Sequence, residues 1–279
     1  MKIAGHDIAV CSWSLRAASC AQLADMVHSV GLEHVQLAIG PLVGIDPAAV
    51  SRELASLKSA GIAITAGMIG FDGEDYSTIA SIRKTGGFVP DGTWPQRREI
   101  AIRAARITAD LGVRMLSVHV GFVPPSDDPR YPSLVERMRE LAGAMADFGV
   151  DLLMETGQEA AGELLQFLND VSMPNVGINF DPANMILYGA GHPIDAVRTL
   201  GRHIRHVHVK DAVASDQPQV KWGEEVPFGT GQVGAAALLR AFREVGYTGP
   251  LAIEREAGDN RLADVRTAIE SLRKAAASL

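Results

Sequence analysis

The chain has 279 residues, of which 47% are hydrophobic and 21% charged, and its net charge is −7. This balance excludes a disordered chain and disfavours a nucleic-acid partner, because proteins that bind phosphate backbones usually present a basic surface. Two cysteines are too few for a disulfide framework, and neither a membrane-spanning run nor a signal-peptide pattern is found, so we expect a cytoplasmic protein with no membrane partner.

Short apolar runs that suit buried parallel strands recur along the chain, each bounded by Gly, Pro or Asp. In chain order, the eight predicted strands are Ile8–Trp13, His34–Ile39, Ile62–Ile69, Met115–Val120, Val150–Glu155, Val176–Asp181, Ile204–Val209 and Leu251–Glu254. Amphipathic runs that end at a glycine predict helices over Cys20–Val30, Pro47–Ala60, Gln96–Leu111, Ser133–Phe148 and Ala235–Val245.

This alternation of eight strands with helices predicts an α/β protein, a (β/α)8 TIM barrel that forms one domain over residues 1–279. The alternative is an open doubly wound sheet. Such a sheet commonly carries a glycine-rich phosphate-binding turn after an early strand. The residues that follow the first strand, from Ser12 to Leu15, contain no such motif, which favours the barrel.

Two connections are unusually long. Gly70–Pro95 follows the third strand and Asp211–Gly231 follows the seventh strand, so both leave the carboxyl ends of strands, where barrel active sites lie. Long loops at that end often act as lids. The alternative is that they are surface loops with no part in the site.

The last four predicted strands each carry, at their last or next-to-last residue, a side chain that can bind a metal, and these are Glu155, Asp181, His208 and Glu254. A single Glu at a strand end is usually solvated, but four metal-competent residues at corresponding positions of consecutive strands indicate a divalent-metal site. Three carboxylates and one imidazole form a hard donor set. We therefore expect one divalent ion, with Mn²⁺ as the first choice and Mg²⁺, Co²⁺, Fe²⁺ or catalytic Zn²⁺ as alternatives.

The motifs around these residues resemble the metal-binding motifs of the xylose isomerase-like TIM-barrel superfamily, which includes sugar phosphate isomerases and epimerases. Glu155 lies in METG, Asp181 in NFDPAN, His208 in HVHVKD and Glu254 in AIERE, and the CSWSL and FGTGQV segments are also similar. The resemblance covers essentially the whole chain. It implies that the four residues are the metal ligands, that Glu155 and Glu254 are the catalytic acid/base pair, and that the protein forms a dimer or a tetramer.

The chemistry of such a site fits a sugar or cyclitol substrate. A divalent ion that binds a ketose carbonyl and the adjacent hydroxyl acidifies the neighbouring C–H bond and stabilises the enediolate that follows deprotonation. Two carboxylates on opposite sides of the sugar can then remove and deliver protons. A carboxylate that also binds the metal is a weakened base, so the polarised substrate must supply most of the driving force.

Six further residues near the strand ends are predicted to contact the substrate, and they are His119, Gln158, Asn184, Lys210, Trp13 and Glu256. His119, Lys210 and Glu256 share the inward-facing alternation of their strands, whereas Gln158, Asn184 and Trp13 lie close to a predicted metal ligand or a strand end. For His119 and Trp13 the alternative is core packing, and for Lys210 and Glu256 it is a salt bridge at the rim. His206, two residues before His208, is expected to lie deeper in the core. Many relatives have a histidine three residues after the aspartate, where this chain has Asn184, an amide that cannot transfer a proton near neutral pH.

The preferred function is a divalent-metal-dependent isomerase or epimerase of a sugar, sugar phosphate or cyclitol. The alternative enzyme is a lyase or dehydratase that acts on a keto-sugar or cyclitol with the same metal site. A non-catalytic sugar-binding protein is a remote alternative, which the presence of all four ligands disfavours. An abasic-site endonuclease is disfavoured by the acidic charge and by Asn184.

Overall fold

Eight parallel strands close into a barrel in the computed structural model, which describes residues Met1–Leu279. The eleven strands are β1 (Lys2–Ile3), β2 (His6–Cys11), β3 (His34–Ala38), β4 (Ala63–Ile69), β5 (Met115–Val118), β6 (Asp151–Glu155), β7 (Val176–Phe180), β8 (Ile204–Val209), β9 (Asp211–Val213), β10 (Glu224–Val226) and β11 (Leu251–Ile253). Strands β2 to β8 pair in chain order, and β11 closes the ring between β8 and β2. The predicted (β/α)8 barrel is confirmed.

The helices surround the barrel. They are α1 (Ser12–Leu15), α2 (Cys20–Ser29), α3 (Pro47–Ser59), α4 (Ile79–Thr85), α5 (Trp94–Asp110), α6 (Tyr131–Ala146), α7 (Ala161–Val171), α8 (Pro182–Tyr188), α9 (Pro193–Leu200), α10 (Ala235–Glu244) and α11 (Arg261–Ala276). Each of the five predicted helices is present within two residues of its expected bounds, and one continuous apolar core joins strands and helices. The helices fall short of the combined length and apolarity that crossing a membrane requires.

The first strand ends two residues earlier than predicted. Strand β2 stops at Cys11, and Ser12 begins the short helix α1, so Trp13 lies on a helical turn instead of at a strand end. The hydroxyl of Ser12 accepts a hydrogen bond from the Ala38 backbone N–H at 2.9 Å. This contact ties the turn to the end of β3 and keeps Trp13 at the mouth of the barrel.

The segment after β4 is packed against the barrel and contains helix α4, which the sequence did not predict. The Arg97 guanidinium is buried and donates to the carbonyls of Thr85 at 2.7 Å and Gly87 at 2.6 Å. The Glu74 carboxylate accepts from the backbone N–H of Phe71 and of Gly87. These buried contacts make the segment a fixed wall of the mouth.

The segment after β8 folds as an antiparallel hairpin of β9 and β10, also unpredicted. The Asp211 carboxylate accepts hydrogen bonds from the backbone N–H of Gly229, Gly231 and Val233 at 2.9 to 3.0 Å. The glycine-rich Gly229–Gly231 turn is therefore organised around a carboxylate of the chain itself, and its N–H groups are not free for a phosphate.

We expect Gly87→Ala to lower the free energy of unfolding by roughly 3 kcal/mol or more, from strain and overpacking together. Gly87 has a φ of +59°, and a Cβ there would lie 2.0 Å from the Val120 carbonyl carbon. The matched control is Gly92→Ala, because Gly92 is exposed and a Cβ there meets nothing within 4 Å. Urea unfolding measures both, and equal stability of the two variants would contradict the packed wall.

Candidate metal centre and its cavity

Four ligand-type side chains meet at the carboxyl end of the barrel. Glu155 is the last residue of β6, Asp181 follows β7, His208 lies in β8 and Glu254 follows β11. One ligand atom from each lies within 4.8 Å of the others, and all four side chains are buried. Neighbouring parallel strands end at the same rim, which explains why residues distant in the sequence converge here.

The His208 Nδ1 atom lies at the centre of this group. It is 3.1 Å from Glu155 Oε1, 3.2 Å from Glu254 Oε2 and 3.6 Å from Asp181 Oδ2. Neither Asp181 nor His208 has measurable solvent exposure. The two glutamates reach the imidazole from different strands, Glu155 from β6 and Glu254 from the end of β11.

Local sequence fixes the position of Asp181. Its Oδ1 atom accepts hydrogen bonds from the backbone N–H of Ala183 at 2.8 Å and Asn184 at 3.0 Å, and so caps α8, which begins at Pro182. An Asp followed by Pro is a favourable helix start, since the Pro needs no N–H partner in the first turn. The other oxygen, Oδ2, is left to face the cluster.

The fit of a cation is indicated by carboxylate oxygens that lack a hydrogen-bond donor. Asp181 Oδ2 has none, and the nearest basic nitrogens, His208 Nδ1 and Lys210 Nζ, are 3.6 Å and 3.8 Å away. Glu155 Oε2 and Glu254 Oε2 also lack donors in bonding geometry, although His119 and Lys210 lie within 2.9 Å as charged neighbours. Buried carboxylates without donors are costly, so these oxygens suit a divalent ion.

The electrostatics of the cluster agree with this reading. Burial raises the pKa of Asp181 to about 6, because desolvation outweighs the attraction of Lys210. Burial also opposes charge on His119, but the adjoining Glu155 carboxylate overcomes it and raises the pKa of His119 to about 9. Both shifts have the same meaning: the buried carboxylates favour a proton or another positive charge beside them.

A cavity of about 1030 Å³ opens above the cluster. Five of the six predicted substrate residues line it, and these are Trp13, His119, Asn184, Lys210 and Glu256. The Trp13 indole donates to Glu254 Oε1 at 2.8 Å, and the Asn184 amide donates to Glu155 Oε1 at 3.0 Å. Lys210 Nζ lies 2.7 Å from Glu256 Oε2 and 2.9 Å from Glu254 Oε2, so it bridges two carboxylates at the cavity wall.

Gln158 is placed differently from the other five. It lines an adjacent cavity of about 480 Å³, and its amide donates to the Tyr188 hydroxyl at 3.2 Å. Tyr188 lines both cavities and separates them. Tyr188 therefore lies between Gln158 and the cavity above the cluster.

Four residues that the sequence analysis did not select also shape the centre. Gln36 and Asn179 contact His208 from below, while Tyr76 and Tyr188 line the cavity above. Gln36 and Asn179 are polar residues within otherwise apolar strands, and that break in the pattern was the available signal. His206 lies deeper, as predicted: its Nδ1 pairs with Asn179 Oδ1 at 2.7 Å, and burial lowers its pKa to about 3, so the ring is neutral.

The fold and site define a TIM barrel with a buried cluster of three carboxylates and one imidazole, which could hold a metal ion, at the carboxyl ends of its strands. The family model described as "Xylose isomerase-like TIM barrel" matches residues 21–275. The chain therefore belongs to the xylose isomerase-like TIM-barrel family, which confirms the resemblance read from its motifs.

Among solved structures, the chain is 36% identical to a xylose isomerase domain protein from Planctomyces limnophilus, with a TM-score of 0.87 over 98% of this chain and 99% of that one. A xylose isomerase-like TIM-barrel protein from Mycobacterium smegmatis, in complex with magnesium, is 19% identical with a TM-score of 0.73 over 99% and 100%. D-psicose 3-epimerase from Clostridium cellulolyticum H10 is 16% identical with a TM-score of 0.73 over 97% and 99%. The last two likenesses concern the fold alone.

The fold is also shared with the probable 3-DHS dehydratase AsbF from Bacillus anthracis, at 18% identity and a TM-score of 0.70 over 95% of this chain and 98% of that one. Structural neighbours of the chain thus include both sugar epimerases and a probable dehydratase. The uncharacterized protein MJ1311 from Methanocaldococcus jannaschii is 24% identical over 176 residues, which span 58% of this chain and 55% of that protein.

We expect the natural chain to lose stability as the pH rises from about 4.5 to about 8, and we expect the Glu159→Gln variant not to show this loss. Glu159 is buried beside the smaller cavity, and its Oε1 accepts from the Val123 backbone N–H at 2.8 Å. Burial raises its pKa from 4.5 to about 8, so the folded chain keeps a proton that the unfolded chain releases, and its stability falls as the pH rises through this window. Relative to the variant, the natural chain should lose on the order of 3 kcal/mol.

Urea unfolding at pH 5 and pH 8 measures this difference. The control is Glu270→Gln, which removes an exposed carboxylate from α11. If the free energy of unfolding changes by the same amount between pH 5 and pH 8 in Glu159→Gln, in the natural chain and in the control, then Glu159 is not a buried carboxyl that keeps its proton in the folded chain.

Proposed function

We propose that the chain is a divalent-metal-dependent isomerase or epimerase of a small sugar, sugar phosphate or cyclitol. The observation that carries the proposal is the convergence of three buried carboxylates and one imidazole at the mouth of a barrel, beneath a cavity large enough for such a substrate. The likeness in fold to D-psicose 3-epimerase supports the same class of substrate.

Glu155, Asp181, His208 and Glu254 would hold the ion, through His208 Nδ1 and the carboxylate oxygens that face it. When bound, a divalent ion supplies Lewis acidity that polarises a substrate carbonyl and the neighbouring hydroxyl. Mn²⁺ is the proposed metal, because the donor set is hard and mixed.

Glu155 and Glu254 would exchange protons with the substrate. They enter the centre from β6 and β11, which are separated by β7 and β8 in the ring of strands, so they face a bound sugar from different sides. One carboxylate removes the proton beside the substrate carbonyl, which gives an enediolate, and the other returns a proton. Return to the opposite face of the same carbon inverts it, whereas return to the neighbouring carbon moves the carbonyl.

The side chains around the pair would hold the substrate and set the state of each carboxylate. His119 and Asn184 contact Glu155, whereas Trp13 and Lys210 contact Glu254. His119 Nδ1 is buried without a partner, and it is a suitable donor for a substrate oxygen. Each glutamate thus has its own donors, so the two can differ in basicity.

A lyase or dehydratase that acts on a keto-sugar or cyclitol is the second candidate. Asn184 leaves it open, because many relatives have a histidine in this position, whereas an amide can hold a hydroxyl but cannot transfer a proton. The same enediolate would then expel a substituent from the adjacent carbon, and the carboxylic acid formed in the first step would protonate the leaving oxygen. The likeness in fold to a probable dehydratase is consistent with this route.

We expect Glu155→Gln and Glu254→Gln each to abolish incorporation of solvent deuterium into the substrate, since neither amide can accept a proton. The measurement is a screen of aldoses, ketoses and cyclitols, with and without phosphate, against Mn²⁺-loaded protein in D₂O, read by proton NMR. Glu270→Gln is the control, and it should exchange like the natural chain. Full exchange in both active-site variants would exclude the proposed proton transfer, and a product of lower mass would assign the lyase.

We expect Mn²⁺ to stabilise the natural chain by about 2.7 kcal/mol at 100 times its dissociation constant, and Asp181→Asn to lose most of this gain. Asn keeps the oxygen that caps α8 but replaces the unpartnered Oδ2 with an amide group. Unfolding of chelator-treated protein, with and without Mn²⁺, provides the measurement. If the variant gains as much as the natural chain, Asp181 is not a ligand.

A further inference from the structure

The His208 ring has two nitrogen atoms with different surroundings. Nδ1 faces the carboxylates of Glu155 and Glu254, whereas Nε2 points down into the barrel and lies 2.7 Å from Gln36 Oε1. Gln36 is in β3, which is separated from β8 by β11 and β2 in the ring of strands, and it has no solvent exposure. This short contact is the one hydrogen bond that joins the four ligand-type residues to β3.

A carboxamide oxygen can only accept a hydrogen bond, so the contact requires a proton on His208 Nε2. An imidazole that carries its proton on Nε2 keeps the lone pair of Nδ1 for a cation. On the basis of the proposed function, we propose that Gln36 is a positioning residue. It fixes the tautomer and the orientation of His208, so that Nδ1 is the atom that binds the metal.

The orientation of the Gln36 amide is set by its other neighbours. The Cys11 thiol donates to the same Oε1 at 3.5 Å, and the Gln36 amide nitrogen donates to the Ser117 hydroxyl at 3.4 Å. Reversing the amide would place an NH₂ group against both the thiol and His208, and the thiol would lose its acceptor. Cys11, on β2, and Ser117, on β5, therefore hold the oxygen toward His208.

Asn179 does not compete for the same nitrogen. Its amide nitrogen lies 3.0 Å from His208 Nε2 and 3.5 Å from Nδ1, and these nearly equal distances place it over the ring instead of in line with either atom. Its oxygen is already paired with His206 Nδ1 at 2.7 Å. Asn179 thus supports the ring from one face, while Gln36 is left as the in-line acceptor.

Gln36→Leu tests this assignment, because leucine has a similar size but no acceptor. We expect it to weaken Mn²⁺ binding about 10- to 100-fold, as loss of the hydrogen-bond partner of a metal-binding histidine commonly does. Gln36→Glu keeps the acceptor and should bind Mn²⁺ within about threefold of the natural chain. Thr108→Val is the matched control, since it removes a buried hydroxyl whose hydrogen bond goes to the Ala104 carbonyl of its own helix and not to Gln36 or His208. Titration followed by the electron paramagnetic resonance of free Mn²⁺ measures all four proteins.

Equal affinity of Gln36→Leu and the natural chain would overturn the assignment, and so would equal losses in the Leu and Glu variants. Absence of Mn²⁺ binding by the natural chain would instead overturn the proposed function itself. Nitrogen-15 NMR of the Mg²⁺-loaded natural chain, with labelled histidine, provides a test that does not depend on whether Gln36→Leu folds. We expect His208 to retain its proton on Nε2, and a proton on Nδ1 would refute the role of Gln36.

Discussion

Three carboxylates lie within a few ångströms of one another in the interior of this protein, and their mutual repulsion is the constraint on which the site depends. Repulsion of this kind at low dielectric is expensive unless positive charge is close. His208 and Lys210 supply part of that charge, yet Asp181 Oδ2 remains without a hydrogen-bond donor. The closed barrel supplies the rigidity that holds the carboxylates together in spite of this cost.

The barrel and the metal-competent residues could be predicted from the sequence for a physical reason. Parallel strands that are buried on both faces read as short apolar runs, and their carboxyl ends must lie at one rim. Glu155, Asp181, His208 and Glu254 could therefore be brought together without coordinates. The position of Asp181 is also set by neighbouring residues, because its side chain caps the helix that begins at the next residue, Pro182.

What the sequence did not reveal depends on contacts between distant residues. Helix α4 and the β9–β10 hairpin lie in segments rich in Gly, Pro and charge, where buried partners such as Arg97 and Asp211 decide the structure. Gln36 lies on a strand read as apolar, and its role becomes visible only when the closed barrel brings His208, on β8, close to β3. Gln158 follows the pattern of a substrate residue, but Tyr188 separates it from the main cavity.

The hydrogen bonds of Arg97 make the shape of the barrel mouth depend on an outer helix. Arg97 lies on α5, lines neither cavity, and yet holds the backbone of Thr85 and Gly87, beside which Phe71 and Glu74 form part of the wall. Substitutions in α5 can thus change the shape of the cavity while every residue that lines the cavity stays the same. In such a protein, a new ligand preference can arise from substitutions in an outer helix, while the cluster of carboxylates and His208 is unchanged.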